Sequence, residues 1–269
     1  MEHESGYIGV GNLRMHYLKT GKGRRLLLGF PGYGHSAHSL LDVAHHLTEE
    51  YTCLLVDLPH HGQSNWPPDN PFTKHMLGAI TGQLLREHGT DKVSLLGYSM
   101  GGRVCLNIIE LMPQNVDKVT LIASDGLTPN GYYIFFNRTI IGAALFRNML
   151  SSPGRYMKIV EWLKARKSIT DWQYKFVQYY TGDEANRKKL GLIWPAMRKL
   201  IPDLSKVKTN IRKYNIHINL VMGKFDKVIP AELGHRFARN LAQVTVITLN
   251  KGHRVITPET AKGIAQTLI

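Results

Sequence analysis

The sequence predicts an α/β fold: a doubly wound, mostly parallel sheet with an inserted helical stretch. Three observations lead there. Short apolar runs alternate with helical patterns over the first 126 residues, the arrangement that pairs strands in parallel and covers both sheet faces with helices. The alternation stops near Leu127, gives way to a helical, aromatic and basic stretch up to about Lys213, and then resumes. Polar residues stand just past several strand ends, where open α/β sheets bind ligands.

Taken in order, Tyr7–Val10 and Leu13–Lys19 read as two strands joined by Gly11-Asn12, a hairpin signal. Arg25–Gly29 is a short apolar run leading into the loop Phe30-Pro31-Gly32-Tyr33-Gly34-His35-Ser36, and a helix follows from about Ser39 to Thr48. Cys53–Asp57 is the next strand and opens into Leu58-Pro59-His60-His61-Gly62-Gln63-Ser64. Pro67, Pro68 and Pro71 mark a loop before a helix over Thr73–His88. Val93–Leu96 is a buried strand and Arg103–Leu111 a largely apolar helix, with Gly97-Tyr98-Ser99-Met100-Gly101 between them. Lys118–Ile122 is a further strand. After the interruption come strand Ile216–Gly223, helix Ala231–Ala242, strand Val244–Leu249 and helix Thr257–Leu268. Residues 1–126 and 214–269 are therefore expected to form the core, and 127–213 an inserted helical lid.

The 269 residues, 43% of them hydrophobic, suffice for a sizeable core. No apolar run approaches the ~20 residues of a membrane span. The first residues are acidic and polar, with no apolar signal segment behind them. Cys53 and Cys105 fall in apolar patterns and read as buried free thiols. These features point to the cytoplasm. The net charge of +14 is concentrated: residues 127–213 hold 17 Lys or Arg against 5 Asp or Glu. That pattern suits an anionic substrate, an acidic carrier protein or an anionic membrane surface. No nucleic-acid motif accompanies it, so nucleic acid is not the expected partner. The 13 histidines include close pairs, but none shows a metal-ligand spacing with Cys or acid partners. No metal or cofactor is expected.

A Ser on a tight strand-to-helix turn, as Ser99 is here, has an exposed hydroxyl and an open helix N-terminus behind it. It is a poor nucleophile without a base, and His is suited to that task near neutral pH. Asp226 follows the strand ending at Gly223, and His253 follows the strand ending at Leu249. The chain order Ser, Asp, His is the one that accompanies this kind of turn. Asp125 also follows a strand and is the rival acid.

On these residues the chain resembles an α/β-hydrolase with a lid, over nearly its whole length. The motifs carrying the likeness are Gly97-Tyr-Ser-Met-Gly101, Asp57-Leu-Pro-His-His-Gly-Gln-Ser64, the Asp226 loop and Gly252-His253. The resemblance implies Ser99 as nucleophile, Asp226 as acid and His253 as base. It implies an oxyanion hole built from the backbone N–H groups of Met100 and Tyr33. Similar proteins carry His-Gly before the second of these; here Pro31 replaces that His, removing a side chain that often braces the loop. His60 stands where Gly is usual. Ser at 99, rather than Asp, disfavours epoxide and haloalkane hydrolysis. The string ending in Gly101-Gly102-Arg103 is similar to that of a menaquinone-pathway synthase, which implies Tyr98 and Arg103 as substrate contacts. The expected activity is hydrolysis of a small acyl substrate, ester or thioester. Carbon–carbon bond hydrolysis and the synthase-like reaction are the alternatives within the family, and a non-catalytic or nucleic-acid-binding role is the alternative outside it. The insertion's aromatic residues, Tyr132, Tyr133, Phe135, Phe136, Trp162, Trp172, Tyr174, Phe176, Tyr179, Tyr180 and Trp194, read mainly as its own small core. Its cations begin at Arg138.

Overall fold

The computed structural model describes residues 2–129, 139–169 and 171–269. Tyr132, Tyr133, Phe135, Phe136 and Arg138 lie outside the described residues, as do the side chains of Trp172 and Phe176. The chain divides into two compact units, Met1–Thr128 with Lys199–Ile269, and Pro129–Arg198.

The first unit is built on one sheet. Its strands are β1 (Glu4–Val10), β2 (Leu13–Thr20), β3 (Arg25–Phe30), β4 (Tyr51–Val56), β5 (Val93–Tyr98), β6 (Val116–Ile122), β7 (His217–Gly223) and β8 (Val244–Leu249). Their order is β1-β2-β4-β3-β5-β6-β7-β8. The β1–β2 and β2–β4 pairs are antiparallel and the rest parallel. Gly11 closes the β1–β2 hairpin at φ 61, a conformation that favours glycine. Every residue of β5 is buried, while edge strand β8 buries only Val244 fully and exposes Thr245 and Thr248. A central parallel strand is covered on both faces, whereas an edge strand keeps residues in contact with solvent.

The helix α3 (Met100–Leu111) follows β5 and is buried from Met100 to Glu110. α2 (Lys74–Glu87) starts at Thr73, whose hydroxyl accepts the Met76 N–H. Two expected helices are shorter in the structure. After β3 the chain makes a 3-10 turn, Ala37–Leu40, and one α turn, α1 (Leu41–Ala44). The carbonyls of Thr48 and Glu50 are then taken by the N–H groups of Lys22 and Arg25 instead of by a continuing helix. The helix after β7 stops at Ala238 because Asn240 turns to φ 63.

The second unit contains α4 (Ile140–Ser151), α5 (Pro153–Ala165), α6 (Asp171–Gly182) and α7 (Glu184–Met197). Thr139 caps α4 by accepting the Gly142 N–H, and Asp183 caps α7 through Asn186. Phe146 stacks on Trp194 at 5.3 Å between ring centroids. The unit ends at Arg198, short of the expected boundary at 213. The helix α8 (Leu204–Lys213) belongs to the first unit. Val207 and Ile211 are fully buried, each worth roughly 1.5–3 kcal/mol. Asn210 donates to the carbonyls of Ile109 and Glu110, and Glu110 accepts the Asp203 N–H and the Lys74 ammonium.

Candidate active site

Ser99 occupies the sharp turn between β5 and α3, with φ 51 and ψ −114, an unfavourable conformation for a residue with a Cβ. Three backbone hydrogen bonds hold it there. Its N–H donates to Ile122 at 2.9 Å, and its carbonyl accepts from Gly102 at 3.0 Å and Asp125 at 2.9 Å. The turn also needs bare backbone beside it. A Cβ at Gly101 would collide with the Phe30 carbonyl, and one at Gly97 would lie 2.6 Å from Gly102 Cα.

Asp226 is buried in the turn after β7. Its Oδ1 accepts N–H bonds from Val228 and Ile229, at 2.8 and 2.9 Å. Its Oδ2 lies 2.7 Å from His253 Nδ1. His253 stands in the loop after β8 with Nε2 3.1 Å from Ser99 Oγ. Asp226 accepts only, so Nδ1 carries the proton and the Nε2 lone pair faces the Ser99 hydroxyl. The structure thus joins Ser99, His253 and Asp226 in one hydrogen-bonded line. A Cβ at Gly223 would strike the Gly252 carbonyl, so the loops bearing Asp226 and His253 pass in direct contact.

Met100 is the first residue of α3, so its amide has no partner within the helix. The loop bearing Tyr33 borders the same turn: a Cβ at Gly32 would sit 3.2 Å from Ser99 Cβ. Among the described residues, no three His, Cys, Asp or Glu side chains converge as around a metal ion.

Residues 26–258 match the family described as the alpha/beta hydrolase fold. The chain belongs to that family. It is 24% identical over 259 residues to the uncharacterised hydrolase YugF of Bacillus subtilis strain 168, covering 96% of this chain and 93% of the relative. It is 26% identical over 240 residues to the 2-hydroxy-6-oxo-6-(2'-aminophenyl)hexa-2,4-dienoic acid hydrolase of Metapseudomonas resinovorans, covering 86% of this chain and 78% of that one. A solved structure of a hydrolase from Pseudomonas aeruginosa superposes with a TM-score of 0.67 at 20% identity, covering 98% of both chains.

Within this hydrolase fold, the residues expected to touch substrate have structural partners. Tyr98 is buried, and its hydroxyl donates to the His253 carbonyl at 3.2 Å. Burial pushes its pKa up to about 12, so it stays a donor. Arg103 is also buried, with Nε 3.4 Å from Asp125 Oδ2. The other oxygen of Asp125 accepts the Gly126 N–H. Asp125 therefore faces Arg103, while Asp226 meets the imidazole.

Sequence reasoning missed how the loop after β4 holds the loop after β3. Asp57 Oδ1 accepts the Ala37 N–H at 2.6 Å, and His61 Nε2 accepts the Gly34 N–H at 3.0 Å. Asp57 Oδ2 meets Gln63 N and the buried His16 ring. His60 adopts φ 62, a left-handed conformation that explains why Gly is usual at that place. The motif Asp57–Ser64 was visible in the sequence; the loop it braces was not. Among the described residues, no helix is long and apolar enough to cross a membrane.

Proposed function

We propose that this protein is a serine hydrolase that cleaves carboxylic esters or thioesters through an acyl-enzyme. The observation that carries the reading is the hydrogen-bonded line from Ser99 Oγ through His253 to the buried Asp226. His253 Nε2 takes the Ser99 proton as Oγ attacks the acyl carbon. The N–H groups of Met100 and Tyr33 hold the oxygen that becomes negative. The imidazolium, steadied by Asp226, returns the proton to the departing alcohol or thiol. Water then attacks the acyl-enzyme, with His253 again the base, and frees Ser99.

The inserted unit is read as a cap that selects substrate. Its chain departs at Pro129, seven residues after the end of β6, the strand beside β5. Residues 129–198 hold 12 Lys or Arg against 4 Asp or Glu, which favours anionic acyl substrates. A second reading, carbon–carbon bond hydrolysis, draws support from the likeness to the dienoic acid hydrolase.

The test is turnover of matched neutral and anionic p-nitrophenyl esters. The expected result is measurable hydrolysis, higher kcat/KM for the anionic ester, and loss of turnover in Ser99→Ala. Ester turnover that survives Ser99→Ala contradicts the mechanism. Equal kcat/KM for the two esters removes the charge preference. Cleavage of a vinylogous 1,5-diketone acid with no ester turnover favours the second reading.

A further inference from the structure

In the loop after β3, Pro31 stands where the resemblance to lidded α/β-hydrolases implies a bracing histidine. The structure supplies another from a different strand end. His61 lies on a turn fixed by its own backbone: its N–H donates to Leu58 and its carbonyl accepts from Ser64. Its ring Nδ1 lies 2.8 Å from the Pro59 carbonyl, which can only accept, so Nδ1 carries the proton. That leaves the Nε2 lone pair to take the Gly34 N–H at 3.0 Å. The His61 ring also stands edge-on to the Tyr33 ring, 6.4 Å between centroids. Three residues further on, Asp57 anchors Ala37. The segment carrying the Tyr33 N–H is thus held at two points by the loop after β4.

We infer that His61 is a positioning residue for the oxyanion hole, fixing the Gly32-Tyr33-Gly34 backbone so that the Tyr33 N–H faces the reacting carbonyl. The inference rests on the serine hydrolase reading above. It requires a neutral imidazole in one tautomer, because a second ring proton would set two donors against each other at Gly34. Burial of the ring, which is 4% exposed, favours that neutral form.

Two substitutions separate positioning from packing. In His61→Asn the side-chain amide retains a donor near the Pro59 carbonyl but has no acceptor reaching Gly34. In His61→Gln the longer side chain places its oxygen near the position of Nε2. Outright loss of one oxyanion donor costs about 100- to 1,000-fold in kcat, so loosening one is expected to cost about 10- to 100-fold. His61→Asn should show that loss, with KM changed by less than about 3-fold. A boronic acid that forms a tetrahedral adduct on Ser99 should weaken by the same factor as kcat/KM, and His61→Gln should recover most of both. Equal losses in Asn and Gln variants, tracking their melting temperatures, would overturn the inference. So would wild-type kcat in His61→Asn. Should both variants fold poorly, nitrogen NMR of the wild-type ring decides: the Nδ1–H neutral tautomer near neutral pH is expected, and an Nε2–H or doubly protonated ring would overturn it. Ser99→Ala run alongside keeps the two readings apart. Turnover surviving there sinks the serine hydrolase reading; turnover lost there with His61→Asn unchanged sinks only this one.

Discussion

The Tyr98 hydroxyl donates to the backbone carbonyl of His253, 155 positions away in sequence, at 3.2 Å. The two rings lie 5.7 Å apart between centroids and are tilted by 31°. The residue just before Ser99 therefore fixes the loop that carries His253. Losing a neutral hydrogen bond of this kind costs about 0.5–1.5 kcal/mol. Tyr98→Phe is expected to lower kcat a few-fold with little change in KM, as steady-state kinetics on one ester will show. A change confined to KM would instead make Tyr98 a substrate contact.

Asp226 gives one oxygen to His253 and the other to two backbone N–H groups. Asn in its place can donate where the carboxylate accepted, which favours the opposite imidazole tautomer. By analogy with other Ser-His-Asp enzymes, Asp226→Asn should reduce kcat about 10,000-fold. The backbone N–H groups of Val228 and Ile229 can still be accepted by the amide oxygen, so circular dichroism should show a native fold. The matching control is Asp125→Asn. It removes the charge opposite Arg103 and should leave His253 operating, with a far smaller loss in kcat. Larger damage from Asp125→Asn than from Asp226→Asn would exchange their roles.

Burial lowers the His61 pKa from 6.5 to about 4, with Asp57 opposing the shift and His60 and His35 adding to it. His45 and His60 are also lowered by burial. The neutral ring is the folded form, so between these pH values the unfolded chain binds more protons. Stability is then unaffected above about pH 6.5 and falls as pH drops toward 4, by up to about 3 kcal/mol from His61. Urea midpoints measured from about pH 7 down to about pH 5 should decline, and more steeply in the wild type than in His61→Gln. Parallel slopes would contradict this assignment.

The central fold was legible because its signals are local. β5 and α3 follow from an apolar run, a glycine-flanked Ser and a helical apolar pattern. Asp226 and His253 were singled out because strand ends place polar residues along one rim of the sheet, and the structure brings their side chains together beside Ser99. The boundary of the insertion was less legible. Lys206, Lys208, Arg212 and Lys213 on α8 read as a continuation of the basic stretch. Only packing reveals that Val207, Asn210 and Ile211 belong with α3. His61 was illegible for a related reason. Its acceptor role depends on a turn that fixes Nδ1 on Pro59 and on a loop 27 residues distant. Tyr98 and Arg103 drew attention through the likeness of their string to a synthase, as substrate contacts, yet their partners, the His253 carbonyl and Asp125, become apparent only when the strands are assembled.

The most direct measurement is the intact mass of the protein quenched during turnover of p-nitrophenyl acetate, followed by peptide mapping. The account predicts a transient gain of one acetyl group, located on the peptide containing Ser99 and absent from Ser99→Ala. Hydrolysis of the ester with no acyl adduct at any quench time, or an adduct on another residue that turns over at the catalytic rate, would contradict it.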